Sequence, residues 1–279
     1  MSSQDSTSGR PETFIGRRPV TAYFALTFAV SWMGALAVAA LHFKPGEPLP
    51  KMTGILMFPA MLLGPSLVGV VLTERLDGTR GLRALLARML LARLPARWYA
   101  ALLIAPVLVL IVLFCLKALV SPAYAPNRFL VGVLFGVPAG FLEEIGWTGY
   151  AFRKMRSQYD ALPASILLGL LWSMWHLPVI DYLGTATPHA GYWFSFFLAF
   201  TVAMTAMRVL ISWIYTNTNS VLLAQLMHVS STASLVIFSP PRVTASQEAM
   251  WYALYGISLW LTVAVIAKTY GISLTRQSQ

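Results

Sequence analysis

Glu143 and Glu144 stand side by side in GVPAGFLEEIGWTGYAF, inside a long apolar stretch. A carboxylate at mid-membrane depth costs on the order of 3 kcal/mol on insertion scales, so acids placed there usually serve a function. The other eight of the ten acidic residues fall in tails, in loops or at the edges of apolar runs. Adjacent helical positions point about 100° apart and do not face each other. The pair is therefore expected to take different partners, one addressing a cavity and the other anchoring a neighbouring helix.

Two of the four histidines share this setting. His176 lies in LLWSMWHLP, just before Pro178, and His228 lies in LLAQLMHVSSTAS. Trp172 precedes His176 by one helical turn, and Ser231 and Thr232 follow His228 at i+3 and i+4, on its own face. His42 and His189 fall in loops and read as ordinary surface residues. Each buried group also has a structural reading, because an intramembrane His often only bonds a neighbouring helix and a Trp near a span end anchors the interface. A Glu pair and two His on three separate spans are better explained together. Glu serves as a general base, and His shares the proton, stabilises an oxyanion or binds metal. Burying such groups without partners is expensive, so they are expected to gather around water.

Known membrane-protease signatures narrow the chemistry by exclusion. H-E-x-x-H is absent, Asp160 has no Gly-x-Gly-Asp companion, and Ser66 in GPSLVG lacks the Gly-x-Ser-Gly setting of a serine nucleophile. Ser66 reads as a close-packing residue. Direct attack by activated water is the simplest reaction left.

The elements that must hold these residues follow from composition. Of 279 residues, 57% are hydrophobic and 11% charged, against about 45–50% and 25% in soluble domains. So few charges cannot cover a water-soluble surface, and the fold class is an all-α polytopic membrane protein. Cys115 stands alone within an apolar run, which excludes a disulfide framework. The net charge of +10 suits basic loops against anionic lipid. No groove-reading motif accompanies it, so nucleic acid is not an expected partner. A span needs about 20 helical residues. Eight apolar stretches qualify: 20–41, 53–73, 98–120, 128–152, 161–179, 191–215, 220–238 and 249–270. The fifth and seventh are the shortest.

With the N-terminus inside, fifteen of the twenty basic residues, Arg208 among them, sort to the cytoplasmic side. That bias places both termini in the cytoplasm and suits an even number of spans. Residues 1–18 read as a disordered cytoplasmic tail, 19–272 as a single transmembrane domain and 273–279 as a C-terminal tail. Between spans two and three, Arg80, Arg83 and Arg88 lie opposite Leu82, Leu85, Leu86 and Met89, which predicts an interfacial amphipathic helix over Thr79–Leu90. The basic loops and compact layout point to a bacterial plasma membrane.

These motifs resemble the CPBP family, the type 2 CAAX prenyl proteases and bacteriocin-processing or immunity proteins also called the ABI family. Its pattern of Glu-Glu-x-x-x-Arg, Phe-x-x-x-His and His-x-x-x-Asn/Asp is similar to Glu143-Glu144-IGW-Thr148, Trp172-SMW-His176 and His228-VSS-Thr232. The resemblance covers about 128–240 and implies a conical intramembrane cavity open to the cytoplasmic side. It implies that Glu143 and His176 activate water with Glu144 as the paired carboxylate, while His228 and Thr232 face the oxyanion. The substrate it implies is a peptide within or associated with the lipid bilayer. Whether a metal is bound stays open; Glu143, His176 and His228 are the candidate ligands, and zinc would fit a Glu and two His with one position left for water. Thr148 takes the place of the motif Arg, Trp172 that of Phe and Thr232 that of Asn, with Arg153 or Arg156 as candidate substitutes for the lost cation. Two other readings use the same residues: a non-proteolytic immunity or peptide-binding membrane protein, and a proton-coupled transporter.

Overall fold

The computed structural model describes residues 14–47, 49–184 and 188–275. Residues 1–13 and 276–279, with Arg10 and Arg276 and most of the two expected tails, lie outside the described residues. All regular structure among the described residues is helical. Lipid offers the backbone no hydrogen bonds, and a helix satisfies its own.

Eight helices carry the apolar stretches. They are α1 (Pro19–His42), α2 (Lys51–Met89), α3 (Ala96–Leu119), α4 (Val133–Gly146), α5 (Ala161–Trp175), α6 (Trp193–Thr218), α7 (Val221–Phe238) and α8 (Ala245–Tyr270). Seven of the segments are long and apolar enough to cross a membrane, α4 with its flanking turns from Leu130 to Met155. The fifth stretch is the exception. α5 has only 15 residues and gives way after His176 to a 3₁₀ segment, Leu177–Tyr182. At 1.5 Å per residue it rises roughly 22 Å, short of the ~30 Å hydrocarbon layer. Pro178 lacks an N–H and cannot continue the α-helix.

The amphipathic segment is helical but not a separate object. It continues α2 beyond a break at Gly78, whose φ of 64° and ψ of −165° suit only glycine. Arg80 and Arg83 are exposed, while Leu85 is buried and lies where a Cβ on Gly149 would meet it. Its apolar side thus rests partly on the protein itself.

The antiparallel packing defines two ends. At one end stand Arg17, Arg18, the arginines between Arg75 and Arg97, Arg153, Lys154, Arg156 and Lys268; the other has Lys44, Lys51, Lys117, Arg128 and Arg242. Arg208 belongs to neither. It sits within α6, fully buried, which corrects its expected place among the cytoplasmic charges. Long side chains with paired charge are retained inside a bundle where a lipid-facing cation would be costly.

His189 is a second correction. It is buried rather than a surface residue, its ring stacked on Phe196 at 3.9 Å. Its Nδ1 lies 3.3 Å from Asp181, and its Nε2 lies 3.4 Å from Glu248. His42 is exposed, as expected, but it forms the last residue of α1 rather than part of a loop.

Candidate active site

Three close helix approaches bring the polar residues together. Lipid tails are as apolar as leucine, so membrane helices associate largely where small residues let backbones touch. Gly136 and Gly140 of α4 face α7: a Cβ on Gly140 would meet the Gln225 carbonyl at 2.7 Å, and one on Gly136 would meet Ala233. Gly146 lies against α2, where a Cβ would meet the Pro65 carbonyl at 2.0 Å. Gly169 of α5 lies against α6, where a Cβ would meet the Thr205 Cα at 2.7 Å and the Arg208 Cβ at 3.2 Å. The turn joining α6 to α7 is equally tight. Asn219 adopts the left-handed conformation (φ 52°, ψ 22°), which Asn tolerates better than most residues, and Ser220 caps α7 by accepting from the Leu223 N–H.

Glu143 and Glu144 do take different partners. Glu144 is fully buried and forms a bidentate pair with Arg208, Nη2 to Oε1 at 2.7 Å and Nη1 to Oε2 at 2.8 Å. The His228 Nδ1 lies 2.8 Å from Oε1, and the Thr148 hydroxyl donates to Oε2. Glu143 faces the other way. Its Oε2 accepts two indole N–H groups, Trp172 at 2.7 Å and Trp147 at 3.0 Å. Its Oε1 is buried with no hydrogen-bond partner among the described residues.

Trp147 and Thr148 each sit four residues after the carboxylate they bond. Both belong to a π-helical turn, Trp147–Phe152, that follows α4; such turns recur at functional sites. Arg208 also lies over the Trp172 ring, 4.6 Å from its centroid. A cation thus braces the indole that holds Glu143 as well as the other carboxylate.

Both histidines are oriented through Nδ1. The His176 Nδ1 is 2.8 Å from the Trp172 carbonyl, which can only accept, so the neutral ring carries its lone pair on Nε2. Trp175 and Phe200 close on the His176 ring edge-to-face, at 4.9 and 5.2 Å. His228 points its Nδ1 at a carboxylate, which likewise leaves Nε2 for other work.

Glu143, His176, His228 and Thr232 line one cavity of about 310 Å³. Phe58, Phe135, Phe200 and Met204 supply much of its apolar wall. Glu144 is not part of the lining and stands behind it. The cavity reaches Lys51, Asn127 and Ser239, so it opens at the end opposite most of the basic residues. The resemblance implied an opening on the basic, cytoplasmic end.

The lost motif cation has a replacement that sequence reasoning did not select. Arg153 bonds Asp77 at 2.7 Å, and Arg156 donates to the Tyr159 carbonyl at 2.7 Å. Neither reaches the Glu pair; Arg208 does. The signal was present, since Arg208 is a lone cation inside the apolar run FTVAMTAMRVLISW. The candidate metal set does not gather. Among the described residues no three His, Cys, Asp or Glu side chains stand close enough to hold an ion, and the His228 Nδ1 and Glu143 Oε2 are already engaged. No chemical step is therefore assigned to a metal.

Fold and site together define a multi-pass helical membrane protein in which Glu143, His176, His228 and Thr232 meet at one cavity. Comparison with known proteins adds a similarity over part of the chain. Residues 125–234 match the family described as type II CAAX prenyl endopeptidase Rce1-like. A CAAX prenyl protease 2 from Methanococcus maripaludis is 33% identical over 113 residues, which is 39% of this chain and 39% of that protein. The chain thus aligns with about two-fifths of the length of this relative. The matched segment holds Glu143, Glu144, His176, Arg208, His228 and Thr232, and over that segment the chain is similar to the type II CAAX prenyl endopeptidases.

Proposed function

We propose that the chain is an intramembrane endopeptidase that hydrolyses a peptide bond in a membrane-associated peptide. The observation that carries this reading is the unpartnered Oε1 of Glu143, on a carboxylate that lines an aromatic cavity beside His176 and His228. A carboxylate held at one oxygen by two indoles is oriented and keeps the other oxygen for a water. The water oxygen attacks the scissile carbonyl carbon and yields a proton to Glu143, aided by the His176 Nε2. The resulting oxyanion accepts a hydrogen bond from the Thr232 hydroxyl and faces the Nε2 side of the His228 ring. Collapse of the tetrahedral intermediate breaks the C–N bond, and the proton passes from Glu143 to the leaving amine. Glu144 touches no reacting atom in this scheme. It holds His228 through Nδ1, while Arg208 balances Glu144.

The test uses purified protein and a fluorogenic peptide library in detergent. Wild-type protein is expected to cleave, and Glu143→Gln and His176→Ala to lose at least about a hundredfold in rate, the scale of a lost general base, with unchanged helicity. Equal activity in wild type and both variants overturns the reading. Loss of thermal stability without any turnover in wild type would favour the peptide-binding alternative.

A further inference from the structure

We infer that the cavity receives its peptide from the extracytoplasmic face of the membrane, so that its substrates are apolar peptide segments presented on that side. This rests on the proposed peptidase reading for what happens in the cavity; the sidedness rests on geometry and charge. The lining residues run from the middle of the bundle, where Glu143 and His228 lie, to the end away from the basic residues. α2 contributes its first two turns, Lys51 to Phe58; α7 contributes the stretch from His228 outward to Ser239; α8 contributes Tyr252, near its start. No lining residue comes from the arginine-rich segment after α2, from the turn between α6 and α7, or from the end of α8. Lys51 and Pro241, both exposed, mark the mouth.

Basic residues in short loops set orientation, and the segments that carry them stay in the cytoplasm. Among the described residues twelve cluster at the end away from the mouth, against five at the mouth end, with Arg208 between them. The twelve lie in short connections or within a turn or two of a helix end, where the rule applies. A cytoplasmic mouth would require all of them outside. The short α5 agrees with an approach from the mouth end. It stops at His176 while α6, its neighbour, runs for 26 residues, so the space beyond His176 belongs to the cavity and the 3₁₀ segment. The chemistry of the wall sets the substrate class. Aromatic and aliphatic side chains dominate inside, and Lys51 and Asn127 offer a cation and an amide at the rim. An apolar segment ending in a polar or anionic group fits that gradient.

The experiment places single cysteines in a Cys115→Ala background, Cys115 being the sole native cysteine. Ser239→Cys reports the cavity mouth and Ser157→Cys the basic end, and intact bacterial cells are treated with a membrane-impermeant maleimide. Labelling of Ser239→Cys in intact cells, with Ser157→Cys labelled only after permeabilisation, is the expected result. The reverse pattern, or labelling of both in intact cells, overturns the inference. Gly46→Cys, in the loop between α1 and α2, stands in for Ser239→Cys if that variant does not fold. A second arm adds an impermeant fluorogenic peptide to sealed vesicles. Cleavage in right-side-out but not inverted vesicles is expected, and the opposite overturns it. Absence of cleavage even in detergent would count against the peptidase reading alone, because the maleimide pattern decides the sidedness independently.

Discussion

At the scale of single residues, the site turns on how one buried cation is shared. Arg208 makes a bidentate pair with Glu144 and stacks over Trp172, so it supports both carboxylates, one directly and one through an indole. Removing one partner of a buried ion pair leaves an uncompensated charge, at a cost of about 3–5 kcal/mol. Arg208→Met is therefore expected to lower unfolding stability in detergent by that amount, read from thermal or denaturant melts. Adding Glu144→Gln to it should recover much of the loss, since no bare charge is then left. A single Arg208→Met variant as stable as the parent would refute the assignment. Thr232 carries a different expectation. Its hydroxyl offers one donor where the family motif has an amide, and a hydrogen bond nets about 1 kcal/mol. Thr232→Asn should thus raise cleavage several-fold, with KM nearly unchanged if the contact forms only in the transition state. A fall in kcat on this change would mean that Thr232 does not face the oxyanion.

At the scale of elements, glycines decide whether these side chains meet. Gly140 lets α4 lie on α7 closely enough for Glu144 to reach His228. A Cβ there would stand 2.7 Å from a backbone carbonyl, which cannot rotate away. Gly140→Leu is expected to separate the two helices, abolish cleavage and lower the melting temperature, whereas Gly191→Ala, where a Cβ meets nothing within 4 Å, should leave both unchanged. Equal activity of the Gly140→Leu variant would show that this approach does not set the site. Much of this was legible in the sequence. The spacing of EEIGWT puts Trp147 and Thr148 four residues after the two Glu, and apolar runs marked eight helices, the fifth ending near His176. Arg208 was not placed because it counts with the cytoplasmic charges although the expected span 191–215 already encloses it, and nothing in the sequence pairs it with Glu144, 64 residues away. His189 was misread for a related reason: a loop residue in sequence can fold back under a helix, here against Phe196.

At the scale of the whole molecule, sequence hydropathy cannot separate the helix at the centre from the helix at the rim. α1 and α6 have nearly equal mean hydropathy, because lipid and protein interior are both apolar and either neighbour selects the same residues. Packing separates them sharply. α6 buries 17 of its 26 residues and rests on α5, α7 and α8, while α1 buries five of 24 and leans chiefly on α2. Local opening follows such differences, since an element with few protein contacts loses little when it detaches. Hydrogen exchange in detergent is accordingly expected to be slowest in α6 and markedly faster in α1. The Glu144–Arg208 pair ties α6 to α4, so Arg208→Met should speed exchange in both of those helices and leave α1 as it was. Exchange in α1 as slow as in α6 would mean that the first helical hairpin is held by contacts this bundle does not contain. A uniform rise across all helices in Arg208→Met would mean that the charge network supports the fold globally rather than the frame of the cavity.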